Sequence, residues 1–214
     1  MIGFEYICKL FNVQYKHVAE ELGITKQTVN SWTSGRRKIP KKYLPILSKK
    51  FNISEKYFQK ELNEIDKMEI QNIKLKSELK NSEYEYEDTI TDPDTGEEIT
   101  VTRTDIDAGA LFDFSLNSYN LNQKKLLIAI RESMDKSFKE NDEYMDYGLG
   151  DANEILKLYK QFLELVKNPN VYNSTLKKVL LGVKVSYGKA FSSDKLVRKI
   201  AKAIKEYDKE NKKW

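Results

Sequence analysis

A chain of 214 residues, 40% hydrophobic and 33% charged, has room for two modest domains or for one domain with an extended element, and its net charge of +4 resolves into basic ends around an acidic middle. No apolar run approaches membrane length, and the start Met1-Ile2-Gly3-Phe4-Glu5 lacks the basic beginning and apolar stretch of a signal peptide, so a cytoplasmic protein is expected. The single cysteine, Cys8, precludes an internal disulfide, and with His17 the only histidine no His/Cys metal cluster assembles; neither a metal nor a cofactor is expected.

In chain order, Phe4, Ile7 and Phe11 fall at helical spacing and mark a first helix over residues 3–11, with Cys8 a small buried thiol among them. A second helix spans Tyr15 to Leu22, with Val18, Ala19 and Leu22 inward. Gly23 supplies the positive φ that closes it, Ile24 plugs the turn, and Thr25 is placed to cap a third helix whose Val29 and Trp32 point to the core. The opposite side of that third helix carries Lys26, Gln27, Thr28, Asn30 and Ser31. Amides at such positions match adenine, a lysine suits guanine, and a hydroxyl serves either base. The basic run Arg36, Arg37, Lys38, Lys41 and Lys42 follows, read as lying along a phosphate backbone or as a solvated loop.

The segment Val18-Ala19-Glu20-Glu21-Leu22-Gly23-Ile24-Thr25, followed by Trp32-Thr33-Ser34-Gly35-Arg36-Arg37, resembles the lambda-repressor-like family, also called Cro/cI or XRE, over roughly the first quarter of the chain. The resemblance implies a compact five-helix domain that binds double-stranded DNA, with Lys26, Gln27 and Ser31 at base-reading positions. Thr25, Arg36, Arg37 and Lys38 are the expected phosphate contacts. Where the family usually has Gln at the start of its second helix this chain has Tyr15, and the neighbours Gln14 and Lys16 are the candidates for that contact.

Beyond the domain, Pro45 fits the first turn of a fourth helix carrying Tyr43, Leu44, Leu47 and Phe51, and nothing obvious stops a helix from Ser54 to Leu79. Ile65, Met68, Asn72, Leu75 and Leu79 form a heptad seam, with Ile70 and Ile73 off it. A dimeric coiled coil and an amphipathic helix packed on the chain's own C-terminal part are both compatible with this pattern. Residues 84–104 then alternate, with Tyr84, Tyr86, Ile90, Ile99 and Val101 on one face and Asp92-Pro93-Asp94-Thr95-Gly96 at the turn of a β-hairpin. Residues 82–113 carry 11 acidic side chains and 1 basic one. They read as a solvated face, or as an element that docks against the basic C-terminal region or keeps DNA off it, rather than as spaced metal ligands.

From Asn122 the period is helical again. Leu126, Leu127, Ile130, Met134 and Phe138 make one stripe and, after Tyr144 to Gly150, Ile155, Tyr159, Phe162, Leu163 and Val166 a second that Pro169 ends. Leu176, Val179, Leu180 and Val183 make a third, and Leu196, Val197, Ile200, Ile204 and Tyr207 a fourth behind a Ser192-Ser193-Asp194 cap, enough stripes for a small bundle. On the last helix Lys195, Arg198, Lys199, Lys202 and Lys205 crowd the polar side, with Lys209, Lys212 and Lys213 beyond. That surface reads as a second nucleic-acid contact, a membrane-surface helix or ordinary solvated lysines.

The predicted architecture is mainly α. A five-helix domain occupies residues 1–60, a linking amphipathic or coiled-coil helix 61–82, an acidic β-hairpin 83–109 and a four-helix C-terminal module 110–214. No catalytic constellation is present. Ala108-Gly109 and Ser133 fail as a self-cleavage site because Ser133 lies within a helical pattern. The expectation is a sequence-specific DNA-binding transcriptional repressor of phage or mobile-element type, a homo-oligomer whose C-terminal module oligomerises, senses a signal or holds a protein partner. The alternatives are a DNA-binding adaptor in plasmid or phage segregation or replication, and an antitoxin.

Overall fold

The computed structural model describes the backbone of residues 1–139 and 145–211, and side chains for all of these except 137–139 and 145–149. Phe138, Tyr144, Lys212 and Lys213 therefore lie outside the described side chains. Two compact units emerge, residues 1–130 and residues 131–214.

In the first unit α1 (Gly3–Leu10), α2 (Tyr15–Leu22), α3 (Lys26–Thr33) and α4 (Leu44–Phe51) enclose a core in which Phe4, Ile7, Val18, Val29, Leu47 and Phe58 are fully buried. Burying each such side chain is worth about 1.5–3 kcal/mol. The Phe4 ring lies 6.4 Å from that of Trp32 and 6.1 Å from that of Phe58, so one aromatic stack ties α1 to α3 and to the end of the domain. Pro45 sits in the first turn of α4, where its missing N–H costs nothing, and a 3₁₀ turn over Lys41–Tyr43 leads into it.

The fifth element of the domain is a single 3₁₀ turn, Glu55–Tyr57, and the helix expected to run from Ser54 is interrupted. The cause lies in the backbone. Gly3 N–H donates to Lys60 O at 2.8 Å, Leu62 N–H to Met1 O at 3.2 Å, and Ile2 bridges Glu61, which holds residues 60–62 extended against the N-terminus. Asn63 then restarts the helix with a capping box: its side chain accepts from Asp66 N–H at 2.8 Å, and the Asp66 carboxylate accepts from Asn63 N–H at 3.0 Å.

The resulting helix, α5 (Glu64–Asn81), has two occupied sides. Ile70 is fully buried in the domain core with Ile73 packed against it, which accounts for the two isoleucines off the heptad seam. At the seam, Asn72 Oδ1 accepts from the Asn117 amide at 3.1 Å and the Ser118 hydroxyl at 2.8 Å, both on α6 (Ala108–Lys139). Lys124 pairs with Glu64, and Lys125 with Glu69 at 2.5 Å. The arrangement is that of an amphipathic helix packed within its own chain, and a dimer seam along this face would have to displace those bonds. Helix α6 begins at Ala108, ahead of the Asn122 that periodicity indicates. Gly109, Asn117, Ser118, Asn120 and Asn122 are weak helix formers, and the bonds of Asn117 and Ser118 to α5 override that propensity.

Between α5 and α6 stand β1 (Glu83–Thr91) and β2 (Glu98–Ile106), paired antiparallel with Ile90 opposite Ile99 and Tyr86 opposite Arg103. Asp92 organises the turn: its carboxylate accepts from Asp94 N–H at 2.8 Å and its carbonyl from Gly96 N–H at 2.8 Å. Alternation places Tyr84, Tyr86, Ile90, Ile99 and Val101 on one face and the Glu/Thr set on the other.

In the second unit α7 (Met145–Lys167) ends two residues before Pro169, and α8 (Asn173–Ser186) pairs with α9 (Lys195–Asn211). Residues 145–150 are already helical, so the Tyr144 to Gly150 break expected between stripes closes by Met145. A Cβ on Gly182 would meet Ile200 at 2.6 Å, so glycine is what lets α8 and α9 approach this closely, burying Val197 and Ala201. The four apolar stripes stand on the helices where periodicity puts them, but Leu158, Phe162, Leu163 and Val166 of α7 remain exposed. Periodicity tells which face of a helix is apolar, not what covers it.

Candidate nucleic-acid interface

The candidate site is built on the α2–α3 turn. Gly23 adopts φ 64°, and its N–H donates to Glu20 O while Ile24 N–H donates to Ala19 O, so the chain reverses within three residues. Thr25 caps α3, its hydroxyl accepting from Thr28 N–H at 3.2 Å and lying 2.9 Å from the Thr28 hydroxyl. Val29 and Trp32 anchor the inner side of α3, and Trp32 stacks on Tyr43 at 5.3 Å. That rigid seating fixes the outer side.

On the outer side Gln27, Asn30, Ser31, Ser34 and Arg36 line one open groove of about 380 Å³. The Ser31 hydroxyl donates to Gln27 O at 2.9 Å, which leaves its lone pairs outward as acceptors, and both amides are exposed. Two amides, two hydroxyls and a guanidinium in one groove form a set with the donors and acceptors that adenine and guanine edges and a phosphate require. Thr28 is placed differently from its neighbours: it is half-buried and engaged with the Thr25 cap.

A second cavity, of about 430 Å³, gathers Lys26, Gln14 and Lys16 with Lys9, Asn12, Tyr15 and Cys8. Here the starts of α2 and α3 meet, and the unpaired N–H groups of a helix start favour an anion. Gln14 occupies the N-cap of α2 without using its side chain as the cap, so its amide is available. Lys9 donates to Glu5 at 2.6 Å and Lys16 lies 3.7 Å from Glu20. Burial pushes the Cys8 thiol up to about 12, against the opposing pull of Lys50, and burial likewise raises the Tyr15 phenol, so both stay neutral and the lysines set the charge of the cavity. Lys9 and Asn12 escape a sequence reading because Asn12, at φ 52°, turns the chain after α1 and carries no periodic signal.

Arg37 and Lys38 stand apart from Arg36. They line a cleft of about 110 Å³ with Ile2, Trp32 and Phe58, while Arg37 N–H donates to Ser31 O at 3.0 Å. Lys195, Arg198, Lys199, Lys202 and Lys205 all lie on α9 in the second unit, where Arg198, Lys202 and Lys205 share a groove with Lys209.

Residues 5–58 match the helix-turn-helix family model. This segment is a helix-turn-helix of the Cro/cI/XRE type, a DNA-binding domain. No curated protein and no solved structure matches the chain. The helix-turn-helix thus presents a polar groove on α3 and a cationic cavity beside it, both held by one aromatic core. Among the described residues no group of histidine, cysteine and carboxylate side chains is placed to hold a metal ion, and no helix is long and apolar enough to cross a membrane.

Proposed function

We propose that this protein is a sequence-specific transcriptional repressor of phage or mobile-element type, acting in the cytoplasm as a homodimer or higher homo-oligomer and working by binding rather than catalysis. The single observation that carries the reading is the groove in which Gln27, Asn30, Ser31 and Arg36 converge on the outer side of α3. Gln27 and Asn30 read bases, while Arg36, Lys26, Gln14 and Lys16 hold the flanking phosphates. Oligomerisation is supported by α6, whose outward face, opposite the contacts to α5, leaves Phe112, Leu116, Tyr119 and Leu126 exposed. Residues 112, 116, 119, 123 and 126 keep the 4-3 spacing of a helix seam. Two copies joined there gain affinity for a palindrome with half-sites about one helical turn apart.

The test is to sequence the genomic DNA that co-precipitates with the full-length protein. A sharp peak over a palindrome upstream of its own gene is expected. Arrays of sites away from promoters would move the reading to a segregation or replication adaptor, and no enriched site would move it to an antitoxin.

A further inference from the structure

We infer that the α8–α9 pair is a second double-stranded-DNA surface, one that grips phosphates through Arg198, Lys202, Lys205 and Lys209 without reading bases. The inference rests on the reading of the chain as a DNA-binding protein and adds a site in its other unit. Residues 173–211 contain ten lysine and arginine side chains against four carboxylates, Asp194, Glu206, Asp208 and Glu210, an excess of one sign where ordinary protein surfaces mix the two. The carboxylate ahead of the row is engaged: Asp194 pairs with Lys178 at 2.9 Å and accepts from Leu196 N–H at 2.8 Å and Val197 N–H at 3.1 Å to cap α9. Those bonds hold it ionised, below the usual carboxylate range.

The four cations recur at spacings of 4, 3 and 4 and stay on one side of α9 over about three turns, or about 16 Å. With Val185, Ala201 and Glu206 they line a groove of about 410 Å³. Arg198 is positioned by its Nε–H, which donates to Ser192 O at 3.1 Å, whereas the Lys202 to Glu206 ion pair is long at 3.6 Å. Lysine ammonium groups are point charges suited to phosphate, and the row has neither the amides nor the hydroxyls that distinguish base edges. A membrane-surface role fits less well. An interfacial helix needs its apolar side free for lipid, and on α9 the centre of that side is occupied, with Val197 and Ala201 buried at the closely approached α8 and only Leu196 and Tyr207 of the stripe exposed.

The experiment measures affinity of the full-length protein for a random-sequence 30-base-pair duplex across a sodium chloride series. Wild type is compared with the variant Arg198→Gln, Lys202→Gln, Lys205→Gln, Lys209→Gln and with its charge-keeping counterpart Arg198→Lys, Lys202→Arg, Lys205→Arg, Lys209→Arg. Each phosphate contact contributes about 0.9 to the slope of log affinity against log salt, so the neutral variant is expected to flatten it by up to about 3.6, while the charge-keeping variant retains it. The double variant Lys202→Gln, Lys205→Gln, a milder change, is expected to remove about half that amount. An unchanged slope in the neutral variant, with its circular dichroism intact, overturns the inference. So does loss of binding to phosphatidylserine vesicles with DNA binding untouched, which would assign the row to a membrane. Failure of the helix-turn-helix reading shows elsewhere, as Gln27→Ala reducing affinity equally for operator and random DNA.

Discussion

Residues 1–60 and residues 171–214 carry the same balance, 12 basic and 4 acidic side chains each, yet the structure arranges them for different work. Around α3 the Arg36 guanidinium borders amides and hydroxyls in a groove whose helix is anchored from its inner side by Trp32 and Val29. Along α9 the cations share their groove with one carboxylate, Glu206, and with no amide or hydroxyl, beside the seam that Gly182 lets close. On the proposed reading, net charge sets salt dependence at both ends, while the neutral polar groups between the charges decide which end discriminates sequence.

The sharpest way to separate the two surfaces is to unseat each in turn. Trp32→Ala removes the ring that Phe4 and Tyr43 pack against and is expected to cost about 3–5 kcal/mol of stability in the N-terminal domain, read by urea denaturation. It should abolish operator preference while leaving salt-sensitive binding to random DNA through α9. Gly182→Ala is the counterpart. Its methyl group meets Ile200, so a loss of about 1–3 kcal/mol is expected in the α8–α9 pair, with operator preference kept and the salt slope reduced. If both variants lose the same property, the division of labour is wrong.

Single side chains sharpen the comparison further. Gln27→Ala is expected to weaken operator binding by about 1–3 kcal/mol and relax preference at one base pair, leaving random DNA unaffected. Arg37→Ala should weaken all sequences alike and lower the salt slope by about 0.9, measured by fluorescence anisotropy on operator and scrambled duplexes. A base preference that changes with Arg37 would move that residue from its cleft beside Trp32 into the reader set.

Much of the first unit is legible in the sequence because its signals are local. Gly23 at φ 64°, the Thr25 cap and the Val29/Trp32 stripe each specify their own few residues. The outward placement of Gln27, Asn30 and Ser31 follows from the same periodicity, whereas Thr28 is drawn to the cap. Non-local effects were not legible. The extended pairing of residues 60–62 with the N-terminus interrupts a helix that local propensity would continue, and the Asn117 and Ser118 bonds to Asn72 lengthen α6 against propensity. The grouping of Lys26 with Gln14, Lys16 and Lys9 likewise depends on where α1 ends relative to α3, which no spacing along the chain encodes. On α9 the cations were visible as a pattern, but their meaning turns on Gly182, because only the closed seam shows that the centre of the helix's apolar side is already occupied.

The smallest expected effect concerns the joint that restarts the chain after the helix-turn-helix. Asp66 is buried at the first turn of α5, and burial by itself would raise its carboxyl. The Lys60 ammonium at 2.8 Å and the Asn63 N–H at 3.0 Å outweigh that effect, with Lys60 and Lys56 adding charge attraction, so the folded state holds the group below its ordinary value. A carboxyl depressed on folding binds fewer protons in the native state than in the unfolded chain. Its contribution is therefore complete above the unfolded value of about 4 and is lost as pH falls through the lower folded value. Lys60 is half-exposed and screened, so Asp66→Asn is expected to cost only about 0.5–1 kcal/mol near neutrality. The gap between wild type and variant, followed by thermal denaturation from pH 7 down to pH 3, should narrow below pH 4 because only wild type loses the charged acceptor. Glu69, depressed in the same way by Lys125 and Tyr57 against its own burial, titrates in both proteins and cancels in the difference. A gap that stays constant to pH 3 would mean that the Asn63 to Asp66 joint holds by hydrogen-bond geometry alone, and that the carboxylate charge adds nothing to the link between the DNA-binding domain and the helix that follows it.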